Sequence, residues 1–320
     1  MMDRVMLKNG KPLPKIGFGT FGSDRYSPDQ VAGAVRFALK AGYRMFDCAS
    51  VYGNEDKIGA VFADAFENGV RREDIFVTSK VWNDAHGEGK PTESLKKSLR
   101  DLRLDYIDAY FVHWPFPNYH APGCDGDSRN PDSVPFSADA YLATWRELEA
   151  LYDAGLARSL GMSNMTISKL DAVLPHTRIR PALIEMELHP SFQQAELFDF
   201  CVDNGIKVIG YCPLGSPNRP ERDVAPGDVV DMELPQVLKV SRARNIHPAQ
   251  VCLMWAVKRG AIPIPFSGSE RNIVSNLRCV EEELTDGEMA IISGAERGCR
   301  LVKGQVFLWP GAMGWEDLWE

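Results

Sequence analysis

The sequence predicts an α/β fold in which parallel strands alternate with helices and close into a barrel. The chain has 320 residues, of which 44% are apolar, and this is enough to bury one large core. Short β-branched and aromatic runs alternate with helix-length segments along the chain. Eight such strand and helix units in about 250 residues or more have the size of a (β/α)8 TIM barrel. A doubly wound open sheet is the competing architecture.

The strands and helices are assigned from the period of their apolar residues. The predicted strands are residues 16–20, 44–47, 75–80, 106–113, 159–162, 183–187, 207–211 and 261–264. The predicted helices include residues 28–41, 55–68, 92–102, 138–154, 195–204 and 235–244. The first helix has a clear start, because Ser27 can cap it, Pro28 suits its first turn and Gln30 completes a capping box. No linker rich in Gly and Ser divides the chain, so residues 1–320 are expected to form a single domain.

Two long segments interrupt this alternation. Residues 114–137 are rich in Pro, Gly and Asp, and residues 297–320 form a tail that contains Phe307, Trp309, Trp315 and Trp319. Long segments without a regular pattern are usually functional or disordered, and this tail is too apolar to remain in water. We therefore expect a long active-site loop at 114–137 and a tail at 297–320 that covers the C-terminal face of the barrel and lines the substrate pocket.

Composition excludes several classes of function. The net charge of −8 argues against a nucleic-acid surface, and no run of 18 apolar residues is present to span a membrane. The first residues lack the apolar core of a signal peptide, and the seven cysteines form no CxxC pair, so a cytoplasmic protein with reduced thiols is expected. The six histidines show no metal-ligand spacing, and no metal site is expected.

Three polar side chains stand at or near the ends of consecutive predicted strands. Asp47, Lys80 and His113 follow one another at intervals of 33 residues, and Tyr52 lies one loop beyond Asp47. Because the C-terminal ends of barrel strands meet on one face, these four side chains are expected to lie together. A structural ion pair beside a core tyrosine is the alternative for any one of them. Four together favour a catalytic group.

This group of residues suits the protonation of a carbonyl oxygen. The pKa of a free tyrosine is near 10, so Tyr52 needs a nearby cation to act as an acid, and Lys80 could supply it. Asp47 would balance the charge of a buried Lys80, and His113 could orient a substrate oxygen by a hydrogen bond. A hydride would then have to come from another group.

Eight segments resemble, in order, the signature segments of the aldo-keto reductases. They are GFGT (17–20), FDCASVYGNE (46–55), TSKVW (78–82), FVHWP (111–115), GMSNM (161–165), ELHP (187–190), YCPLGSP (211–217) and AIPIPFSGSERNIVSN (261–276). The resemblance covers about residues 5–295. It implies a TIM barrel that binds NAD(P)H without a Rossmann glycine fingerprint and reduces an aldehyde or ketone, such as a sugar or another small carbonyl compound. It also implies that Tyr52 is the general acid, Lys80 lowers its pKa, Asp47 is the counter-ion and His113 orients the substrate.

The resemblance implies a set of cofactor residues as well. They are Gly19, Thr20, Ser163, Asn164, Glu185, Tyr211, Leu214, Ser216, Ser267, Arg271 and Asn276, with Asn218 in the loop after Ser216. Ser163 and Asn164 match the pair that binds the nicotinamide carboxamide, and Tyr211 matches the aromatic side chain that stacks on the ring. Leu214 and Ser216 match a loop over the pyrophosphate.

Two positions depart from the family pattern. Glu185 stands where the family usually has Gln, and a carboxylate can accept a hydrogen bond from the carboxamide NH₂ but cannot donate to its oxygen. Ile264 and Pro265 replace a Lys and a Ser that help to hold the 2′-phosphate of NADP. Arg271 still matches the phosphate-binding arginine, so NADP(H) is favoured and NAD(H) is the alternative.

Aromatic side chains mark the expected substrate pocket. They are Phe21, Trp82, Trp114 and Trp309, which suit both the C–H faces of sugars and aryl aldehydes. The expected partner is therefore a small carbonyl compound or alcohol, and the chain is expected to act as a monomer or weak homodimer.

Two other functions remain open at this point. Lys80 on a barrel strand could form a Schiff base in a lyase. The chain could also be a non-catalytic subunit that senses the redox state of nicotinamide cofactors.

Overall fold

The computed structural model describes residues 4–7, 10, 12–119, 130–216, 219 and 223–320. Within these residues the chain begins with a hairpin in which β1 (Arg4–Met6) pairs antiparallel with β2 (Pro12–Pro14). The sequence analysis did not predict this hairpin, because each strand has three residues and β2 has two prolines, which a strand pattern disfavours. Leu7 and Leu13 pack against apolar side chains at the starts of the barrel strands. The hairpin therefore covers the N-terminal end of the barrel.

Eight further strands form one parallel sheet in chain order. They are β3 (Phe18–Gly19), β4 (Met45–Asp47), β5 (Phe76–Val81), β6 (Ala109–Val112), β7 (Leu160–Ser163), β8 (Leu183–Glu187), β9 (Lys207–Tyr211) and β10 (Ile262–Pro263). The sheet closes because the Gly17 N–H donates to the Pro263 carbonyl at 3.0 Å and the Gly19 N–H donates to the Pro265 carbonyl at 3.1 Å. This closed sheet confirms the predicted (β/α)8 barrel.

Glycine is required where the first and last strands meet. A Cβ atom on Gly19 would lie 2.8 Å from the Ile264 carbonyl oxygen, which is closer than packed atoms approach. The backbone of β3 therefore lies as close to the backbone after β10 as their atoms allow, and the barrel closes at this point.

Helices surround the barrel. They are α1 (Pro28–Ala41), α2 (Glu55–Glu67), α3 (Lys90–Leu102), α4 (Ala138–Asp153), α5 (Ile167–Val173), α6 (Ala195–Asp203), α7 (Pro235–Arg244), α8 (Pro248–Lys258), α9 (Glu270–Leu277) and α10 (Asp286–Ser293). The bounds of α1 and α7 are as predicted, and those of α2, α3, α4 and α6 differ by at most two residues. The capping box is confirmed, since the Gln30 N–H donates to Ser27 Oγ at 3.3 Å and the Ser27 N–H donates to Gln30 Oε1 at 2.8 Å.

Four helices were not predicted, and each has a weak sequence pattern. Helix α8 is buried over most of its length, so its apolar residues do not follow one face. Helices α5, α9 and α10 have only seven or eight residues, which is too short for a clear period.

The described part of the C-terminal tail packs over one end of the barrel. Trp114, just after β6, forms an apolar cluster with Phe307, Leu308 and Leu318 of the tail, and Trp82, just after β5, packs against the same cluster. The Asn118 Nδ2 atom donates to the Phe307 carbonyl at 2.8 Å, which ties the loop after β6 to the tail. The tail therefore lies over the C-terminal ends of the strands, as expected. Residues 120–129, in the middle of the predicted long loop, lie outside the described residues.

Candidate active site

Lys80 is the centre of a buried polar cluster at the C-terminal end of the barrel. Its Nζ atom lies 2.7 Å from Asp47 Oδ2, 3.2 Å from the Cys48 carbonyl oxygen and 3.4 Å from the Tyr52 hydroxyl oxygen. Thr78 Oγ1 donates to the other carboxylate oxygen of Asp47 at 2.6 Å. Strands β4 and β5 are neighbours, so the pairing of the sheet places these three buried side chains together.

A short turn places Tyr52 over Lys80. A 3₁₀ turn at Ser50–Tyr52 follows β4 and ends at Gly53, whose φ of 65° suits glycine. Next to it, Asn54 Nδ2 donates to the Thr20 carbonyl at 2.8 Å, and Thr20 Oγ1 donates to the Asp47 carbonyl at 2.8 Å. These bonds tie the turn to the ends of β3 and β4. The orientation of the phenol is therefore determined by backbone contacts of the barrel.

The protonation states of the cluster follow from burial and from its charges. Burial disfavours the charged form of Lys80, but Asp47 and Glu185 outweigh it and raise the lysine pKa well above its usual value. Burial also raises the pKa of Tyr52 above 10, and Lys80 opposes this rise without cancelling it. From the sequence, Lys80 is expected to lower the pKa of Tyr52. The charge of Lys80 acts in that direction, but burial has the larger effect, so the pKa of Tyr52 is raised overall. At neutral pH the site holds an ammonium and a protonated phenol.

His113 lies beside the phenol as a neutral imidazole. Burial, and then the charge of Lys80, lower its pKa well below 6.5. Its ring centroid is 5.9 Å from that of Tyr52 and 5.0 Å from that of Trp82. Within the described part of the chain, His113 Nδ1 is a buried atom without a hydrogen-bond partner. The imidazole can therefore form a hydrogen bond with a group that enters the site.

Glu185 reaches the same cluster from β8. Its Oε2 atom lies 3.4 Å from Lys80 Nζ, and the side chains of both residues are at most 4% exposed. Its pKa is raised to about 8, first by burial and then by Asp47, while Lys80 opposes the rise. From the sequence, Glu185 is expected only as a cofactor residue, and its ion pair with Lys80 is not predicted. The available signal was an ionisable side chain in the middle of the predicted strand 183–187, where side chains alternate between the interior and the exterior of a barrel.

Three of the expected nicotinamide-binding residues lie next to this cluster. Asn164 follows β7 with a φ of 57°, donates from Nδ2 to the His113 carbonyl at 2.8 Å and accepts at Oδ1 from the Tyr211 hydroxyl at 2.6 Å. Ser163 Oγ is buried without a hydrogen-bond partner among the described residues. An asparagine with a left-handed backbone conformation and a buried hydroxyl without a hydrogen-bond partner are typical of a binding site for a polar ligand.

The other expected cofactor residues lie on the loops after β9 and β10. Leu214 and Ser216 follow β9, and Ser216 has a φ of 36°; Asn218 lies outside the described residues. Ser267 Oγ accepts from the Ser269 N–H at 3.1 Å before α9 begins. On α9 the side chain of Arg271 is exposed, whereas Asn276 is buried.

Ile264 does not take the place implied by the resemblance. Its side chain is buried in an apolar cluster with Met45, Phe76 and Ile262, and it lies against Gly17. Strand β10 directs this side chain into the barrel, where it cannot meet a phosphate. Of the residues that the resemblance implies for the phosphate, Arg271 is the one that offers an exposed cation.

The expected substrate residues divide into two groups. Phe21 and Trp82 lie against the catalytic rings, since the Phe21 ring centroid is 5.1 Å from that of Tyr52 and the Trp82 centroid is 5.0 Å from that of His113. Trp114 is almost fully buried, with its ring centroid 4.7 Å from that of Phe307, and Trp309 packs against the same apolar cluster. The first pair therefore lies beside Tyr52 and His113, whereas the second pair joins the tail to the barrel.

A second buried network holds the tail in place. His189 Nε2 lies 2.9 Å from Glu187 Oε1, and His189 Nδ1 lies 3.0 Å from Asp231 Oδ2. The two oxygens of Glu187 accept from the Leu301 and Val302 N–H groups at 2.7 and 2.9 Å. Burial favours neutral His189, but its hydrogen bonds to Asp231 and Glu187 raise its pKa to about 9. The sequence analysis recognised ELHP as a motif but did not predict that it anchors the tail.

The described residues offer neither a metal centre nor a membrane-spanning helix. They contain no group of three or more His, Cys, Asp or Glu side chains arranged to hold a metal ion. The helices found there include none with the length and apolar character needed to cross a membrane.

Comparison with known proteins relates this site to one family. The family profile described as "Aldo/keto reductase family" matches residues 15–297. The chain is 38% identical to an aldo/keto reductase of Synechocystis sp., over 100% of this chain and 97% of that protein. It is 37% identical to aldo-keto reductase family 1 member A1 of Homo sapiens, over 93% of this chain and 90% of that protein. A crystal structure of a Bombyx mori aldo-keto reductase in complex with NADP matches with a TM-score of 0.83 and 31% identity, over 94% of this chain and 95% of the other.

Proposed function

Because the chain belongs to the aldo-keto reductase family, we propose that it reduces the carbonyl group of an aldehyde or ketone to an alcohol with NADPH as the hydride donor. The observation that carries this proposal is the position of the Tyr52 hydroxyl 3.4 Å from the buried ammonium of Lys80. The similar Bombyx mori protein was crystallised with NADP, which supports the choice of cofactor.

In this mechanism Tyr52 supplies the proton. NADPH, when bound, would supply the hydride for the carbonyl carbon. The Tyr52 O–H bond would break as its proton passes to the carbonyl oxygen. The phenolate that remains is stabilised by the charge of Lys80, which Asp47 holds in place. Solvent then returns a proton to Tyr52. Because the ammonium is already positioned before the reaction, no charged group has to move as the phenolate forms.

His113 is proposed to orient the substrate. Its imidazole is neutral, so it can donate one hydrogen bond to the carbonyl oxygen without competing with Tyr52 as the acid. Phe21 and Trp82 border the same space and present apolar surfaces. We propose that these two residues, with Trp114 after β6 and Trp309 in the tail, select sugars or other small carbonyl compounds.

The residues around the barrel end fit a nicotinamide cofactor. Ser163 Oγ is buried without a partner among the described residues, and Asn164 Nδ2 has a second hydrogen besides the one that it donates to the His113 carbonyl, so both suit the carboxamide group. Tyr211 is proposed to stack on the nicotinamide ring. The remaining proposed contacts are Glu185 at the carboxamide, Leu214 and Ser216 near the pyrophosphate, Ser267, Arg271 and Asn276 near the 2′-phosphate, and Gly19 and Thr20 at the end of β3.

We also propose that residues 1–320 act as one domain. The loop at 114–137 and the tail at 297–320 would form the substrate side of the site. The bonds from Leu301 and Val302 to Glu187 support this arrangement, because they attach the tail to the end of a barrel strand.

The test is steady oxidation of NADPH by a set of aldehydes, ketones and sugars, followed at the nicotinamide absorbance. Turnover by the wild type that is lost in Tyr52→Phe would support the proposal. Absence of turnover with every carbonyl compound, while NADPH still binds, would instead favour the non-catalytic sensing subunit.

A Schiff-base lyase is a weaker candidate on physical grounds. A lysine nucleophile must be neutral, whereas Lys80 lies against two carboxylates that raise its pKa. The discriminating measurement is borohydride treatment in the presence of a ketone, because a lyase would be trapped covalently at Lys80.

A further inference from the structure

Glu185 places a second carboxylate against the one buried ammonium of the proposed active site. Its Oε2 atom lies 3.4 Å from Lys80 Nζ, while Asp47 Oδ2 lies 2.7 Å from the same atom. Two ionised carboxylates and one ammonium would leave a net negative charge in the protein interior. Such a charge is costly, so the cluster favours a proton on one of the carboxyl groups.

The hydrogen bonds indicate which carboxyl group holds that proton. Both oxygens of Asp47 are used, since Lys80 Nζ donates to Oδ2 and Thr78 Oγ1 donates to Oδ1 at 2.6 Å. Glu185 Oε2 is buried and accepts no hydrogen bond among the described residues. Ionised Asp47 is therefore stabilised by two donors at 2.6 and 2.7 Å, whereas ionised Glu185 faces the same ammonium only at 3.4 Å, so Glu185 is the group that gains and loses the proton.

We propose that Glu185 is a positioning residue for proton transfer, which acts through Lys80 and sets the acidity of Tyr52 by holding or releasing one proton. This inference rests on the carbonyl reduction proposed above. When Glu185 is neutral, Lys80 has one anionic partner and stabilises the Tyr52 phenolate as it forms. When Glu185 is ionised, its negative charge opposes the phenolate and makes Tyr52 a weaker acid.

The residues around Glu185 bring the loss of its proton close to neutral pH. The groups that face it are Asp47 from β4, Tyr52 from the turn after β4, Lys80 from β5 and Tyr211 from β9, with His113 after β6 held neutral beside Lys80. Burial and Asp47 raise the pKa of Glu185 to about 8, against the opposing effect of Lys80. Within this set, Glu185 is the group expected to change charge between about pH 7 and pH 9.

The test compares the wild type with Glu185→Gln, which keeps the size of the side chain and removes its charge. Single-turnover carbonyl reduction is measured at saturating NADPH between pH 6 and pH 9.5, so that chemistry is observed directly. The wild-type rate is expected to fall by about threefold to tenfold between pH 7 and pH 9, because ionised Glu185 opposes the phenolate and makes Tyr52 a weaker acid. The Glu185→Gln rate should stay level over this range and exceed the wild-type rate at pH 9.

Glu149→Gln is the matched control. Glu149 is another buried glutamate, on α4, where its Oε1 accepts from the Ile179 N–H at 2.8 Å. Its replacement removes a buried carboxylate away from Lys80 and should leave the wild-type pH profile unchanged.

A second readout does not depend on activity. Carbon-13 NMR of labelled glutamate side chains in the cofactor-free protein would show the Glu185 carboxyl, assigned by its loss in Glu185→Gln. Its titration near pH 8 would support the inference, and its titration below about pH 6 would overturn it. Parallel pH profiles for an active wild type and Glu185→Gln would also overturn it. Absence of carbonyl reduction by the wild type would instead contradict the proposed function.

Discussion

The ammonium of Lys80 lies 2.7 Å from the carboxylate of Asp47, on neighbouring strands, and their side chains are 0% and 3% exposed. The pair is therefore shielded from solvent and held by the rigid part of the fold. Lys80 Nζ also lies 3.4 Å from the Tyr52 hydroxyl oxygen, so the ion pair places a fixed charge beside the proposed proton donor. The first two predictions test this relationship.

Replacement of Tyr52 by Phe removes the proton and keeps the ring. We expect carbonyl reduction to fall by about 10²- to 10⁴-fold, or roughly 3 to 5 kcal/mol in barrier height, which is typical for loss of a general acid. The affinity for NADPH, measured by fluorescence titration, should change by less than about twofold. Tyr152→Phe, at a half-exposed tyrosine on α4, is the control and should remain fully active. A Tyr52→Phe rate within about a factor of ten of the wild type would contradict the assignment.

Lys80 and Asp47 should be coupled in stability. Lys80→Met leaves two buried carboxylates without their cation and should cost about 3 to 5 kcal/mol of unfolding free energy. Asp47→Asn should cost less, because Glu185 remains beside Lys80. In urea unfolding, the double variant should lose less than the sum of the single losses. Additive losses would show that the two side chains do not interact.

His189 should make stability depend on pH. Its folded pKa of about 9 lies above the unfolded value of about 6.5, so its contribution is complete below pH 6.5 and is lost as pH rises through 9. The contribution corresponds to about 3 kcal/mol of unfolding free energy. Urea unfolding of the wild type and His189→Gln should therefore differ most near pH 6 and differ by much less near pH 9.5. A constant difference over that range would mean that His189 does not carry the proton in the folded protein.

Arg271 should bind the 2′-phosphate of NADPH. Its exposed guanidinium can form charge-assisted hydrogen bonds worth about 1.5 to 3 kcal/mol each, so Arg271→Ala should raise the dissociation constant of NADPH by about 10- to 100-fold. The dissociation constant of NADH, which lacks this phosphate, should change little. Arg278→Ala, at another exposed arginine just after α9, is the control. Equal losses for NADPH and NADH would exclude this role for Arg271.

The barrel and the four catalytic candidates could be predicted from the chain alone. Local patterns were sufficient to predict the barrel, because its strands and helices alternate and have clear apolar periods. The barrel then places the C-terminal ends of its parallel strands on one face. Asp47 and Lys80 lie near the C-terminal ends of β4 and β5, and His113 directly follows β6. These strands were predicted within a few residues, so the proximity of the three side chains followed from the fold class. Short or uniformly buried elements such as α5 and α8 lacked that periodic signal.

The contacts across the barrel depended on the three-dimensional structure. Glu185 on β8 meets Lys80 on β5 although two strands separate them in the sheet, and Ile264 turns into the core although its neighbours in sequence suggested a phosphate site. Likewise, Glu187 bonds to Leu301 more than a hundred residues away. The sequence pattern gives the order of strands and the face on which a side chain stands. The tilt and stagger of closed strands decide which side chains meet across the interior, and burial among those neighbours then sets their charges.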